Sequence, residues 1–303
     1  MEDAISPVLR LVGVQSAVYF QREFSAPWGM DVRDTGYAQF HLIVQGKAVL
    51  IDDDNNLLEL GTGDIVVYPT GAAHRIANCA DTPAEPGQKV VQAIMTGKQV
   101  FSGDGTATRL ICGHFDFDLA TRHPLLSELP ECILLKASDV FGQQPLGTLL
   151  SALISESKSS ELGSSVVAEK LADTIFVAIL RAYAVQSKNA TRFLAALKDP
   201  RLARCVALIH QSFPNVPSLY ELAQVAGMSR SSIAFHFRRA FGFAPGAYAT
   251  KWRLLQAAKR LRNSDDNIET VASYCGYESP ASFSRAFRNL HGQSASNYRK
   301  AAR

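Results

Sequence analysis

The sequence predicts an α+β multidomain chain. A β-barrel of jelly-roll type comes first, bridging helices follow, and an all-α tandem helix-turn-helix domain closes it. Three observations carry this expectation. Short apolar runs broken by Gly, Asp and Pro fill residues 8 to 117, the apolar period turns helical after Pro130, and a block near the end is written twice. The expected limits are 1–130 for the barrel, 131–198 for the bridging helices and linker, and 199–303 for the tandem domain.

In the first segment the runs Gln39 to Asp52, Leu57 to Leu60, Asp64 to Tyr68, Val90 to Thr96 and Arg109 to Phe117 read as strands. Many short strands at this spacing suggest a sandwich or barrel. Beyond Pro130, Leu146, Leu149, Leu150, Leu153 and Ile154 form one helical stripe, and Val166, Val167, Leu171, Ile175, Ile179 and Leu180 belong to a second helix. These helices either bridge the domains and pair with a second subunit, or pack on their own barrel. An isologous homodimer through residues 146 to 184 is the preferred assembly. Ser187 to Asp199 reads as the connection to the last domain.

The repeat is read residue by residue. Leu222, Ala223, Gly227, Met228, Ser229, Phe237, Gly242 and Tyr248 recur as Val271, Ala272, Gly276, Tyr277, Ser279, Phe287, Gly292 and Tyr298. The offset is 49 before the turn and 50 after it, so one residue is inserted in the second turn. Gly227 and Gly276 fall in the turns, where positive φ is often required. Ser229 and Ser279 stand as N-caps, and Pro280 takes the first helical position, where its missing N–H costs nothing. Ile233, Phe237 and Phe241 face inward in one helix, as do Phe283, Phe287 and Leu290 in the other.

The N-terminal part of the second helix of such a motif points at base edges in the major groove. That exposes Arg230, Ser231, Ala234 and Phe235 in the first copy, and Pro280, Ala281, Ser282, Ser284 and Arg285 in the second. Arg230 and Arg285 suit bidentate contact with guanine, and Arg238, Arg239 and Arg288 suit phosphates. A solvated helix face explains any one of these arginines, but not their recurrence on matching faces. Between the copies, Tyr248 to Arg262 reads as one helix of roughly 22 Å, with Trp252, Leu255 and Leu261 inward. Lys251, Arg253, Lys259 and Arg260 lie partly outward on it.

Charge supports a nucleic-acid partner. Residues 199–303 hold 15 Lys and Arg against 6 Asp and Glu, whereas residues 1–198 hold 16 against 22. A basic last third on an acidic body is the electrostatic footprint of a nucleic-acid module joined to something else. Met1-Glu2-Asp3 carries no signal-peptide pattern and no apolar run reaches membrane-spanning length, so the expected location is the cytoplasm, at the nucleoid through DNA. The cysteines Cys79, Cys112, Cys132, Cys205 and Cys275 are odd in number and unpaired in spacing, against a disulfide framework. Cys205 and Cys275 read as small core residues.

The stretches "LAQVAGMSRSSIAFHFRRAFGFAP" and "VASYCGYESPASFSRAFRNLHGQSASNYR" make residues 199 to 303 resemble the DNA-binding domain of AraC/XylS-type transcriptional regulators. Two positions depart from that pattern. Phe235 and His236 stand where relatives frequently carry arginine, which bears on base contacts by the first copy. Ala295 replaces a proline often found after the last turn and matched here by Pro245.

The stretch "GDIVVYPTGAAHRIAN" resembles the second motif of cupin barrels, through Gly63, Pro69, Gly71, His74 and Asn78. Aligned on His41, the first cupin motif is degraded, with Gln39 for a histidine and Gln45 for the glutamate. "CGHFDFDLATRHPLLSELP" is similar to the sensory half of one branch of AraC-type regulators. The resemblance implies a small-molecule effector in the barrel, near Gln39, His41, Gln45 and His74. No cofactor is required on this reading. His41, His74, Cys112 and His123 are the candidates for a structural zinc. The alternative for the histidines is that they plug the barrel as hydrogen-bonded interior residues.

Together these imply a sequence-specific DNA-binding transcriptional regulator, not an enzyme, whose barrel senses an effector. Its partners would be double-stranded DNA at a promoter, the effector, RNA polymerase and a second copy of the chain. The alternative is a metal-dependent cupin enzyme fused to a DNA-binding module, which Gln39 and Gln45 disfavour. A third reading is a ligand-free regulator whose barrel only dimerises.

Overall fold

Strand pairing and helix packing divide the chain into two bodies that do not follow chain order. The computed structural model describes residues 3–33, 36–52, 54–116, 123–141, 145–186 and 191–301. Its elements begin with α1 (Ser6–Val12), β1 (Gln15–Ser25), β2 (Gly29–Val32), β3 (Ala38–Gln45), β4 (Lys47–Asp52), β5 (Leu57–Gly61) and β6 (Ile65–Tyr68). Next come β7 (His74–Ala77), β8 (Glu85–Pro86), α2 (Gly87–Met95), β9 (Ala107–Asp116), α3 (Pro124–Ser127), β10 (Ile133–Leu135) and α4 (Ala137–Phe141). Then follow α5 (Leu146–Glu156), α6 (Ser164–Gln186), α7 (Arg192–Ala196), α8 (Pro200–Gln211), α9 (Leu219–Ala226) and α10 (Arg230–Phe241). The chain ends with α11 (Pro245–Asn263), α12 (Ile268–Tyr274), α13 (Pro280–His291) and α14 (Ala295–Ala301). The expectations for Phe117 and for Ser187 to Ala190 lie outside the described residues.

The sheet body contains described residues from 14–118 and 129–190. Two five-stranded sheets, ordered β1-β9-β3-β6-β10 and β5-β4-β7-β2-β8, enclose a core of Phe20, Phe24, Trp28, Ile43, Leu50, Val66, Ile76 and Leu110. This is the expected two-sheet architecture. The run Gln39 to Asp52 is split at Gly46, whose φ of 90° turns β3 into β4 and whose Cβ position would lie 2.7 Å from the Ala107 carbonyl. Asp64 ties β6 to α4 by accepting from the Ala137 N–H at 2.8 Å and pairing with Lys136 at 2.9 Å.

Three local expectations are corrected. Val90 to Thr96 is not a strand: Val90 to Met95 belong to α2 and Thr96 caps it, because Val90 and Ile94, four residues apart, bury one helical face. Residues 8 to 12 belong to α1, which buries Val8, Leu11 and Val12 and ends on Gly13 in the left-handed conformation. After Pro130 the chain adds one more strand, β10, antiparallel to β6, before turning helical.

The expected helices at 146 and 166 form as α5 and α6. They pack on each other, and α6 lies on β1 and β9, where Phe176 meets Phe115 at 4.8 Å and Phe115 stacks on Phe40 at 4.8 Å. Of the two, α6 packs on its own barrel and α5 packs on α6 and α4. Leu162, Val166 and Val167, at the start of this pair's second helix and before it, stay exposed.

The helical body holds described residues from 1–13, 119–128 and 191–303, so α1 and α3 join α7 to α14. These limits differ from the three segments read from the sequence. Within this body Lys259 on α11 donates to the Arg10 carbonyl at the end of α1. Glu128 accepts from the Phe193 N–H at 2.9 Å, which fixes α7 beside α3. No helix among the described residues is long and apolar enough to cross a membrane.

Candidate nucleic-acid interface

Each recognition helix forms where its caps put it. The Ser229 hydroxyl accepts from the Ser232 N–H at 3.2 Å to start α10, and Ser279 accepts from the Ser282 N–H at 3.3 Å to start α13, where Pro280 occupies the first turn. Gly242 and Gly292 close the two helices in the left-handed conformation. The preceding helices are capped as well: Ser218 and Glu221 form a reciprocal capping box on α9, and Asn267 accepts from the Thr270 N–H at 2.8 Å on α12.

One face of each recognition helix is spent on the core. Ile233, Phe237 and Phe241 are buried in α10, as are Phe283 and Phe287 in α13, and Leu290 is half-buried against the same cluster. The opposite faces carry the expected contact residues. Arg230, Ser231, Phe235, Arg238 and Arg239 are exposed and Ala234 is half-buried; Pro280, Ala281, Ser282, Ser284, Arg285 and Arg288 are all exposed. No carboxylate among the described residues pairs with any of these five arginines, and neither helix contains an acidic residue. Free guanidinium groups on an exposed helix face suit phosphate and guanine acceptors.

The linking helix α11 starts three residues earlier than expected because Pro245 supplies its first turn. It buries Trp252, Leu255 and Leu261 and touches both α10 and α13. Its arginines are less free than the sequence suggests. Arg253 donates from Nε to the Cys275 carbonyl at 2.5 Å and from Nη2 to the Gly276 carbonyl at 2.6 Å, while stacking 4.3 Å from the Tyr277 ring. Arg260 pairs with Asp266 and stacks on Tyr274 at 3.9 Å. In the first copy, Arg204 on α8 likewise donates to the Val225 carbonyl at 2.9 Å. Arg204 and Arg253 are 49 residues apart, the repeat's own offset, so extending the repeat upstream would have found them.

In the sheet body, His41 and Cys112 are directly opposed on β3 and β9, and His74 reaches them from the facing sheet. The polarity of their hydrogen bonds follows from one carbonyl. His74 Nδ1 lies 2.8 Å from the Ala72 oxygen and must donate to it, so its Nε2 accepts from His41 Nε2 at 2.8 Å. His41 Nδ1 is then left as acceptor for the Cys112 thiol at 3.0 Å. Burial, with His74 alongside, holds His41 far below the usual imidazole range; burial also holds His74 down to about 4 and pushes the Cys112 thiol up. Tyr68 stacks on His74 at 3.8 Å.

This arrangement bears on the expected effector and metal residues. Gln39, His41 and His74 are buried, but Gln45 sits exposed at the end of β3 and does not join them. His123 belongs to the helical body, where its Nε2 contacts Tyr248, whereas His41, His74 and Cys112 belong to the sheet body. The three that do meet form a linear chain of neutral donors and acceptors, with His41 using both ring nitrogens, rather than lone pairs converging on one point. No group of three or more His, Cys, Asp or Glu among the described residues is placed to hold a metal ion. The residues present do not fit the metal quartet of a cupin enzyme. Asn78, of the same motif, is structural: its side chain accepts from the Trp28 N–H at 2.7 Å.

Comparison with known proteins agrees with both bodies. A family model described as Cupin matches residues 3–185 and one described as Helix-turn-helix domain matches residues 222–301. An HTH-type transcriptional regulator of Haemophilus influenzae is 28% identical over 302 residues, covering 98% of each chain. HTH-type transcriptional regulator AlkR of Acinetobacter baylyi is 27% identical over 307 residues, covering 98% of this chain and 99% of its own. Among solved structures, the DNA-binding domain of the global transcriptional factor AdpA, in complex with a target DNA, is 35% identical; it covers 33% of this chain and 91% of its own, with a TM-score of 0.32. Likeness over nearly the full length to such regulators, in a chain that presents two capped cationic helices, leads to one assignment: it belongs to the AraC-type transcriptional regulators with an N-terminal cupin domain.

Proposed function

We propose that the protein binds promoter DNA by laying α10 and α13 in successive major grooves, and that a small-molecule effector in the sheet body biases its DNA-competent arrangement. The observation that carries the DNA half is the row of unpaired arginines on both recognition helices. Neutralised phosphates release counterions, so six to ten phosphate contacts imply a loss of about 10³- to 10⁵-fold in affinity between 50 and 200 mM salt. Titrating a duplex at rising salt tests this, and a flat response would sink the assignment.

The effector half is supported by Gln39, His41 and His74, three polar side chains buried in the sheet body, with His41 and His74 hydrogen-bonded to each other beside its apolar core. Calorimetry against small metabolites, with and without operator, measures the coupling; an effector that binds free and DNA-bound protein equally is no effector. The third reading, a ligand-free barrel that only dimerises, would be favoured by intact DNA binding with no metabolite heat. A homodimer through α5 and α6 is supported by the exposed Leu162, Val166 and Val167. RNA polymerase is the further partner at the promoter, and the nucleoid in the cytoplasm is the site of action.

The protein acts on this reading as a regulator rather than an enzyme and needs no cofactor. A structural zinc at His41, His74 and Cys112 would require the thiol to ionise and the imidazoles to turn their lone pairs to one point. Elemental analysis of the purified protein decides the matter: stoichiometric iron or manganese with turnover favours the enzyme, and stoichiometric zinc favours the structural site.

A further inference from the structure

The two recognition helices are copies at an offset of 50, so each position of α10 has a counterpart in α13. Phe237 matches Phe287 and Ile233 matches Phe283, and all four are fully buried. By the same offset Phe235 matches Arg285 and Arg238 matches Arg288. The position assigned above to phosphate is arginine in both copies, but the base-facing position held by Arg285 in the second is held by Phe235 in the first.

Phe235 is a large apolar ring held in water. It is 61% exposed on a helix that otherwise buries its phenylalanines, and among the described residues its one ring neighbour is the adjacent His236, edge-on at 5.4 Å. At 100° per residue it points about 160° away from the mean direction of Ile233, Phe237 and Phe241. Ser231 lies one turn before it and Arg239 one turn after, both exposed, with no acidic residue on the helix. An apolar group with a hydroxyl one turn before it and arginines three and four residues after it fits a partner whose surface is anionic with apolar points inside a groove. Duplex DNA offers one such point, the C5-methyl of thymine in the major groove.

We infer that Phe235 reads the thymine methyl in one half-site at the position where Arg285 reads guanine in the other. The operator is then chemically asymmetric. It carries an A·T pair whose methyl is packed on Phe235, and a G·C pair whose O6 and N7 accept from Arg285. This rests on the DNA-binding function proposed above and names the base chemistry that each module selects.

The test uses the full-length chain and a randomised duplex pool. After selection, each thymine of the enriched duplex is replaced singly by deoxyuridine, which pairs alike but lacks the methyl. One replacement in the first half-site should weaken binding about fourfold, the cost of one apolar carbon returned to water. Phe235→Ala should abolish that sensitivity while leaving the guanine requirement of the second half-site, and Phe235→Arg should convert the selected base from thymine to guanine. Indifference to uracil at every thymine of that half-site, or uracil sensitivity that survives in Phe235→Ala, overturns the inference while DNA binding stands. A pool in which no duplex is enriched overturns the DNA-binding function itself and this inference with it.

Discussion

The Nε2 atom of His123 lies 3.0 Å from the phenolic oxygen of Tyr248, across 125 residues of sequence. The Leu125 N–H donates to His123 Nδ1 at 3.1 Å, which leaves the ring proton on Nε2 for Tyr248. Tyr248 in turn donates to His210 Nε2 at 2.9 Å. Three buried side chains from α3's cap, α8 and α11 thus share one directed chain of hydrogen bonds, with every imidazole neutral.

Neutrality makes this chain sensitive to acid. Burial, then the neighbouring His210 and Lys251, holds His123 far below its ordinary value, and burial holds His210 down to about 3. The unfolded chain takes up protons near pH 6.5 and the folded one does not, so stability is full above that pH. It is lost as pH falls from about 6.5 toward 3, at about 1.4 kcal/mol per pH unit for each histidine. Thermal melts from pH 7.5 to 5 should show a steep acid decline. His123→Phe, which cannot charge, should make it shallower by one histidine's share while costing about 1 to 3 kcal/mol at pH 7 by leaving the phenol short of a donor. An acid slope equal in the two proteins would refute the account.

Arg253 positions the second module through its turn. Its two charged hydrogen bonds clamp the carbonyls of Cys275 and Gly276, just ahead of the cap of α13. Arg253→Ala should cost about 1 to 2 kcal/mol, discounted for partial exposure, and loosen the second half of the footprint more than the first. Arg253→Lys keeps the charge but not the planar fork, so it should restore little. Full rescue by lysine, or uniform loss across both half-sites, would show that only charge matters there.

Arg285 and Arg288 should behave differently although three residues apart. Under the DNA-binding mode proposed above, Arg285→Ala should relax preference at one base pair by about 1 to 3 kcal/mol. Under the same mode, Arg288→Ala should weaken all sequences alike and lower the salt slope by about 1. Matching selection profiles for the two variants would contradict these roles.

Gly113 is where the sheet body leaves no room. A Cβ there would stand 2.3 Å from the Ala17 carbonyl of the neighbouring strand and 2.5 Å from the Phe40 ring. Gly113→Ala should destabilise the sheet body by about 3 kcal/mol, because β1's backbone cannot yield as a side chain can. Urea unfolding with a midpoint within experimental scatter of the parent would mean the strands part more easily than their pairing implies.

The sequence alone determined what depends on near neighbours along the chain. The repeat, the capping serines, Pro280, and the buried faces at Ile233, Phe237, Phe283 and Phe287 are legible because helix caps and faces recur every three or four residues. The same locality explains the cationic face of the tandem domain. Tertiary structure alone decided what depends on register and long-range packing. Whether Val90 and Ile94 bury a helix or a strand face, that Gln45 falls outside the barrel interior, and that His41 meets Cys112 are set by which strands pair and in what alignment. His123 sits nine residues after His114 on the chain, yet its partners are Tyr248 and His210. Nothing local distinguishes a histidine that plugs a barrel from one that caps a short helix in another body, because the free energy separating them comes from burial against residues 33 to 125 positions away.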